Sequence, residues 1–245
     1  MKVLLAIDDT DNLESRGTGD LAEMIAQEVE TRRWGRRCFI TRHQLLVHPD
    51  VPYTSHNSAM CFAGDMDPAC ITGLIARASD FLETERAPGS DPGLCVAAAD
   101  WIVNQAELIA FSRRAKEEVL KKDEAYVLAR RLRLHLSEHG GTGQGVVGAL
   151  AGVGLRLSGR DGRVRGGLQI SGASGRASAG QIRAHPHVDE VMTLEGQVLA
   201  DDEQVLLGEK VKAVMQDGKC VVLVTASESN EAPWKTCPKE LLKRY

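Results

Sequence analysis

Three aspartates, Asp8, Asp9 and Asp11, stand within four positions directly behind the apolar run of residues 3–7, in the stretch IDDTDNLESRGTGDLA of residues 7–22. Carboxylates this close repel one another unless a cation, a metal-bound phosphate or water takes up their charge, so the cluster must face a cleft or solvent. Hard oxygen ligands on a short loop suit magnesium, which takes one or two carboxylates and completes its shell with water and substrate phosphates. Thr10 and Thr18 offer hydroxyls beside them. A solvated loop is the plain alternative for the same residues.

The second candidate is the loop GGTGQG of residues 140–145, which runs into the small-residue stretch VVGALAGVGL. Its glycines at 143, 145 and 148 match the dinucleotide fingerprint, but the sequence before them reads as helix rather than strand, so no Rossmann site is expected. The loop also lacks the Gly-Lys-Ser/Thr ending of a Walker loop. Bare backbone amides of Gly140, Gly141, Gly143 and Gly145 at a helix N-terminus make an anion site. A helix stop followed by close packing accounts for the same glycines.

An acid loop, a hydroxyl at a helix start and a distant glycine loop are together what a nucleoside triphosphate and its metal require. The Asp-x-Asp signature of haloacid-dehalogenase phosphatases fits poorly, because counting from Asp8 the second acid position holds Thr10. Five histidines, His43, His48, His56, His135 and His139, are scattered rather than clustered, and packing or surface roles are expected of them.

The elements that position these residues follow from periodicity. Residues 3–7 read as a buried strand, and Leu21, Met24, Ile25 and Val29 recur at helical spacing, which predicts a helix over 19–32 with Thr18 at its start. Strands are expected at 38–47, 59–63 and 94–99, with the proline-containing loop HPDVPYTSHNS between the first two. Asp67-Pro68 opens a helix carrying Ile71, Leu74, Ile75, Ala78 and Leu82, ended by PGSDPG. Residues 105–138 read as helix broken near Lys122-Asp123, and short strands are expected at 163–170, 188–194, 204–213 and 218–225.

At 245 residues the chain can bury a substantial core, and 43% hydrophobic with 26% charged residues leaves little room for long disorder. No apolar run approaches the roughly 20 residues that span a bilayer, no secretory signal is read, and the six cysteines form no CxxC pair, so reduced thiols in a cytoplasmic protein are expected. A net charge of −4 argues against a surface that clamps nucleic acid all over. Locally, Arg156, Arg160, Arg163, Arg165 and Arg176 face only Asp161, an excess that suits either phosphates or a solvated turn.

The motifs IDDTDN with Gly17-Thr18, then HPDVPYTSHNSA, then GGTGQGVVGAL, in that order, resemble the archaeal tRNA-isoleucine agmatidine synthetases, in their kinase domain and the ferredoxin-like domain associated with it. The segments VDEVM and VLLGEKV, near residues 188 and 205, resemble stretches ahead of that family's nucleic-acid modules. The resemblance implies ATP and magnesium as cofactors and a domain that activates a cytidine by phosphoryl transfer and phosphorylates a threonine of its own, here Thr18. It gives metal and catalytic roles to Asp8, Asp9 and Asp11, and nucleotide-binding roles to Thr10, Asn57, Gly141, Thr142, Gly143 and Gly145. Two departures stand out. No OB-fold or zinc ribbon of the family is read in these residues, and Gly19-Asp20 stands where the family has a second hydroxyl residue, which counts against autophosphorylation; agmatidine synthesis is not expected.

The expected architecture is α+β: a kinase-like α/β domain from residues 1–58 and 138–180, and a ferredoxin-like α/β sandwich with C-terminal strands from residues 59–137 and 181–245. The expected activity is ATP- and magnesium-dependent phosphotransfer to a small polar molecule or nucleotide, with no membrane partner. RNA and self-association stay open as partners. A non-catalytic nucleotide-binding or regulatory module that keeps the fold is the alternative.

Overall fold

The computed structural model describes residues 1–51, 57–172, 175–229 and 232–245, and the chain divides into two compact units, Met1–Ser158 and Gly159–Tyr245. The architecture is α+β, as expected.

The first unit is organised around β1 (Lys2–Asp8), the middle strand of an antiparallel run β5-β4-β1-β3-β2. Its neighbours are β3 (Ser58–Met66), with Ile7 opposite Met60, and β4 (Gly93–Ala98), with Asp8 opposite Gly93. β2 (Gly35–Gln44) and β5 (His135–Glu138) complete the sheet. Val3, Leu5 and Ile7 pack under α1 (Thr18–Thr31) and α2 (Ile71–Glu85), while Leu4 and Ala6 pack under α3 (Gln105–Arg114), α4 (Lys122–Leu132) and α5 (Gly145–Ser158). Helices on both faces explain why β1 is continuously apolar instead of alternating.

The glycines of α5 let it lie close on the sheet. A Cβ at Gly152 would stand 3.0 Å from the Cβ of Ala59 and 3.2 Å from that of Ala6, and one at Gly154 would meet the Ser112 hydroxyl at 2.1 Å. The small-residue stretch is therefore a packing surface that presses the start of α5 against the C-terminal end of β1.

The second unit is built on β11 (Lys219–Ala226), flanked on one edge by β10 (Val214–Gln216) and β12 (Trp234–Thr236) and on the other by the parallel β8 (Glu190–Thr193). β6 (Arg163–Val164) extends the sheet beyond β10, and β9 (Gln204–Leu206) and β7 (Arg176–Ser178) extend it beyond β12. The short α6 (Ala179–Arg183) starts at a capping box of Ser178 and Gln181. Val214, Val221, Leu223, Cys237 and Leu242 form its core.

Two sequence expectations are corrected. The discontinuous division at 58, 138 and 180 is not found, because β3 and β4 flank β1 in one sheet and α5 packs on it, so residues 1–158 fold together. The helical stretch expected to reach 138 ends at Leu132, where Arg133 turns left-handed (φ 62°), and β5 follows. A four-residue edge strand with one pairing partner carries no periodicity that separates it from a helix end. The glycine loop thus does follow a strand, but one paired antiparallel to β4, so it is still not a Rossmann βαβ unit. No helix among the described residues is long and apolar enough to cross a membrane.

Candidate active site

β1 delivers Asp8 at its end, and the chain then turns through Asp9, whose φ of 51° is left-handed. Two backbone bonds tie this turn to the loop after α2: Ala87 N–H donates to the Thr10 carbonyl and Asp91 N–H to the Asp9 carbonyl, each at 3.0 Å. Thr18, in the first turn of α1, donates its hydroxyl to Asp11 Oδ1 at 2.8 Å. The three aspartates and Thr18 share one cavity of about 450 Å³.

Burial dominates the electrostatics. The Asp8 carboxyl is pushed up to about 8, first by desolvation and then by repulsion from Asp9 and Asp11 against a lowering backbone hydrogen bond. Asp9 is pushed up to about 6 by desolvation and by Asp91 and Asp11. Six carboxylates line the cavity (Asp8, Asp9, Asp11, Asp50, Asp91 and Glu118), and no lysine, arginine or histidine joins them among the described residues. Leu45, Leu46, Val119 and Leu120 supply an apolar wall.

The glycine loop closes another side. Gly140, Gly141 and Gly143 all have positive φ, and at Gly141 a Cβ would meet the Asp91 carboxyl at 2.9 Å. Asp91 accepts hydrogen bonds from the Thr142 hydroxyl, from Gly143 N–H and, at 3.1 Å, from Gln144 N–H. Lys122 Nζ donates to the Thr142 carbonyl at 2.6 Å. Two amides at the mouth of α5 are therefore already given to a carboxylate of the chain itself. A Cβ at Gly145 would stand 2.0 Å from the Asp91 carbonyl oxygen, so only glycine fits there.

The structure brings Asp8, Asp9, Asp11, Thr18, Asn57, Gly141, Thr142 and Gly145 to one cavity, while the Thr10 hydroxyl and the buried Gly143 stand behind its surface. Asn57 uses its side-chain amide to hold the Leu46 carbonyl at 2.6 Å. The histidines stay out. His43 is buried with its Nε2 2.8 Å from the Thr41 hydroxyl, His135 and His139 flank Ser137, His48 lies beside Asp50, and His56 falls outside the described residues. Asp91 is the residue that sequence reasoning passed over. It sits in PGSDPG, which reads only as a helix stop, and nothing local marks its carboxylate as the anchor of a loop fifty residues on.

No group of three or more His, Cys, Asp or Glu side chains among the described residues forms a ready-made metal cage. The donor set nevertheless fits magnesium, which needs only one or two protein carboxylates when phosphates and water complete its shell. Burial and mutual repulsion raise both Asp8 and Asp9, and the Thr10 hydroxyl between Asp9 and Asp11 in sequence is buried without a partner. A cation beside them would relieve the repulsion.

No protein-family model and no curated protein matches the sequence. Solved structures do. A tRNA fluorescent labeling enzyme is 28% identical with a TM-score of 0.55, covering 63% of this chain and 36% of that one. The tRNA agmatidine synthetase TiaS in complex with its isoleucine tRNA and ATP is 27% identical with a TM-score of 0.55, over the same shares. Apo TiaS is 26% identical with a TM-score of 0.54, over 63% and 35%. The chain thus spans little more than a third of the length of these relatives. Over 63% of its own length the chain resembles the labeling enzyme and the tRNA agmatidine synthetase structures in fold, at 26–28% identity.

Proposed function

We propose that residues 1–158 form an ATP- and magnesium-dependent phosphotransferase whose acceptor is a small polar molecule or nucleotide. The observation that carries this reading is the charge of the cavity: six carboxylates and no cationic side chain among its described lining residues. A triphosphate cannot enter such a place as a bare anion. It enters only with its charge cancelled, and a divalent ion bound jointly by phosphate oxygens and aspartates does that. The match to a structure solved with ATP supports the same assignment.

In this reading one or two of Asp8, Asp9 and Asp11 would hold the metal directly and the remainder through water, and the metal when bound supplies charge neutralisation on the transferring phosphoryl group. The apolar wall of Leu45, Leu46, Val119 and Leu120 receives the base, and Asn57 fixes the edge of that wall through the Leu46 carbonyl. The Cβ-free surfaces of Gly141 and Gly145 let the phosphates approach the start of α5, with Thr142 beside them and Gly143 holding the loop turn. Asp11 accepts the hydrogen bond of the Thr18 hydroxyl and so orients it in the cavity, where Thr18 would contact phosphate or, as a second acceptor, take the γ-phosphoryl group with release of ADP.

The same charge favours one other ligand class, a small organic polycation. Titration with ATP separates the two. Calorimetric binding of ATP that requires magnesium and is lost in a folded Asp11→Asn variant supports the phosphotransferase. Absence of ATP binding at millimolar concentration with magnesium, alongside tight binding of a diamine, overturns it.

A further inference from the structure

A polar cluster of the first unit lies outside the aspartate cavity, on β5 and the residue after it, in the stretch HLSEH of residues 135–139. Alternation along an extended chain puts His135, Ser137 and His139 on one face. The two imidazoles close on the hydroxyl between them, with Ser137 Oγ 2.9 Å from His135 Nε2 and 2.9 Å from His139 Nε2. On the far side of the His139 ring, Nδ1 is buried without a hydrogen bond, and Glu83 Oε1 of α2 stands 3.5 Å away. Hydroxyl, imidazole and carboxylate thus follow one another in the order of a nucleophile, its base and the group that orients the base.

The protons follow from what each atom can accept. An exposed carboxylate at neutral pH has none to give, so the nitrogen that faces Glu83, His139 Nδ1, carries the ring hydrogen and Nε2 keeps its lone pair. Ser137 O–H then donates to His139 Nε2, and its oxygen accepts from His135 Nε2–H, which polarises the hydroxyl from both sides. β5 is the edge strand of its sheet among the described residues and pairs with β4, where Ser137 lies opposite Leu94 and His139 N–H donates to the Pro92 carbonyl at 2.9 Å. Amides along an antiparallel strand alternate between partner and open side, so Ser137 and His139 turn theirs to β4 and Glu138 turns its N–H off the open edge. An amide directly after the nucleophile, facing no partner strand, is a donor for the oxyanion of acyl transfer.

We infer that Ser137, with His139 as its base and Glu83 as the positioning carboxylate, is a second reactive site that hydrolyses small carboxylic esters. Ser137 Oγ attacks the acyl carbon as its proton passes to His139 Nε2, and the carbonyl electron pair moves onto the oxygen that faces Glu138 N–H. Collapse of this intermediate breaks the ester C–O bond, and the leaving alkoxide takes the proton from His139. Water, giving its proton to the same nitrogen, then attacks the acyl group; the bond to Ser137 Oγ breaks, Ser137 recovers its proton and the carboxylic acid departs. Ser137 is half-buried, and imidazoles two residues away on either side occupy its strand face, so the ester comes in over the open edge, which suits a small acyl group.

Two readouts on the full chain test this. A fluorophosphonate, which phosphonylates an activated serine with loss of fluoride, should label Ser137 in the native chain and not in the chain unfolded by urea, as read by peptide mass mapping. p-Nitrophenyl acetate should be hydrolysed with an initial burst of nitrophenol as the acyl-serine forms. Ser137→Ala and His139→Gln, shown to be folded by thermal melting, should lose the protein-dependent rate about 100-fold or more. Glu83→Gln lowers kcat and leaves KM unchanged, whereas a carboxylate that only supports the fold would move the Tm and not kcat. No label on Ser137 in the native chain, equal labelling after unfolding, or unchanged hydrolysis in a folded Ser137→Ala variant overturns the proposal.

Discussion

Asp8 and Gly148 compete for one volume: a Cβ on residue 148 would lie 1.6 Å from Asp8 Oδ2. The fingerprint-like glycine of α5 is thus required by a carboxylate at the end of β1 and not by a dinucleotide. Gly148→Ala must displace Asp8 or lift α5, and either movement costs about 1–3 kcal/mol of stability. Magnesium-dependent ATP binding is lost with it. In Asp8→Ala/Gly148→Ala most of the clash is gone, so thermal stability recovers relative to the single Gly148→Ala variant while binding does not. Additive stability losses in this cycle, measured by urea denaturation, would show that the two residues do not meet.

The raised carboxyls give the metal-free protein an inverted acid response. A group whose folded pKa lies above its unfolded value binds its proton more tightly in the folded state. For Asp8, at about 8 when folded and about 4 when unfolded, stability is therefore highest below the lower value and falls as pH rises through the interval. Asp9 adds the same sign up to about 6. Between the two values the slope approaches about 1.4 kcal/mol per pH unit for each carboxyl that keeps its proton when folded and loses it when unfolded. Melting curves in EDTA should show a lower Tm at pH 8.5 than at pH 5.5. Asp8→Asn flattens the dependence, and a wild-type Tm that rises steadily towards pH 8.5 contradicts the burial argument.

Asp91 anchors the glycine loop from a distance. Asp91→Ala leaves the Thr142 hydroxyl and two backbone amides without their acceptor, a loss of about 1.5–3 kcal/mol for a charge-assisted set. The vacated amides at the start of α5 become an anion site, so sulfate stabilises Asp91→Ala more than wild type in a thermal-shift titration. If the variant melts with wild type and ignores sulfate, the carboxylate does not hold this loop.

Much of this arrangement was legible in the sequence because it rests on local rules. The apolar run before Asp8, the helical spacing from Leu21 to Val29 and the Asp67-Pro68 start each state their element in a few residues, and strand, helix and cap are found there. The glycine loop and the aspartates were recognised as sites, but their relation was hidden: Gly148 and Asp8 meet only after 140 residues of folding. The strands β5, β7, β10 and β12 escaped because elements of three or four residues take their form from partners rather than from pattern. Expected strands over 163–170 and 204–213 shrink to Arg163–Val164 and Gln204–Leu206, with bends following at Arg165–Gly166 and Glu209–Lys210.

The hydrogen bond from Thr18 to Asp11 separates a structural role from a chemical one. Asn at position 11 keeps an oxygen that accepts from Thr18 but carries no charge, so Asp11→Asn stays within about 1 kcal/mol of wild type in stability while losing metal-dependent binding. Thr18→Ser keeps the hydroxyl, whereas Thr18→Val keeps the shape and removes it. With radiolabelled γ-phosphate ATP, wild type and Thr18→Ser should incorporate label and Thr18→Val should not, although all three bind nucleotide. Label retained in Thr18→Val places the acceptor elsewhere. Absence of label in wild type that still binds magnesium and ATP makes Thr18 a clamp on Asp11, holding the carboxylate towards the metal instead of receiving the phosphoryl group.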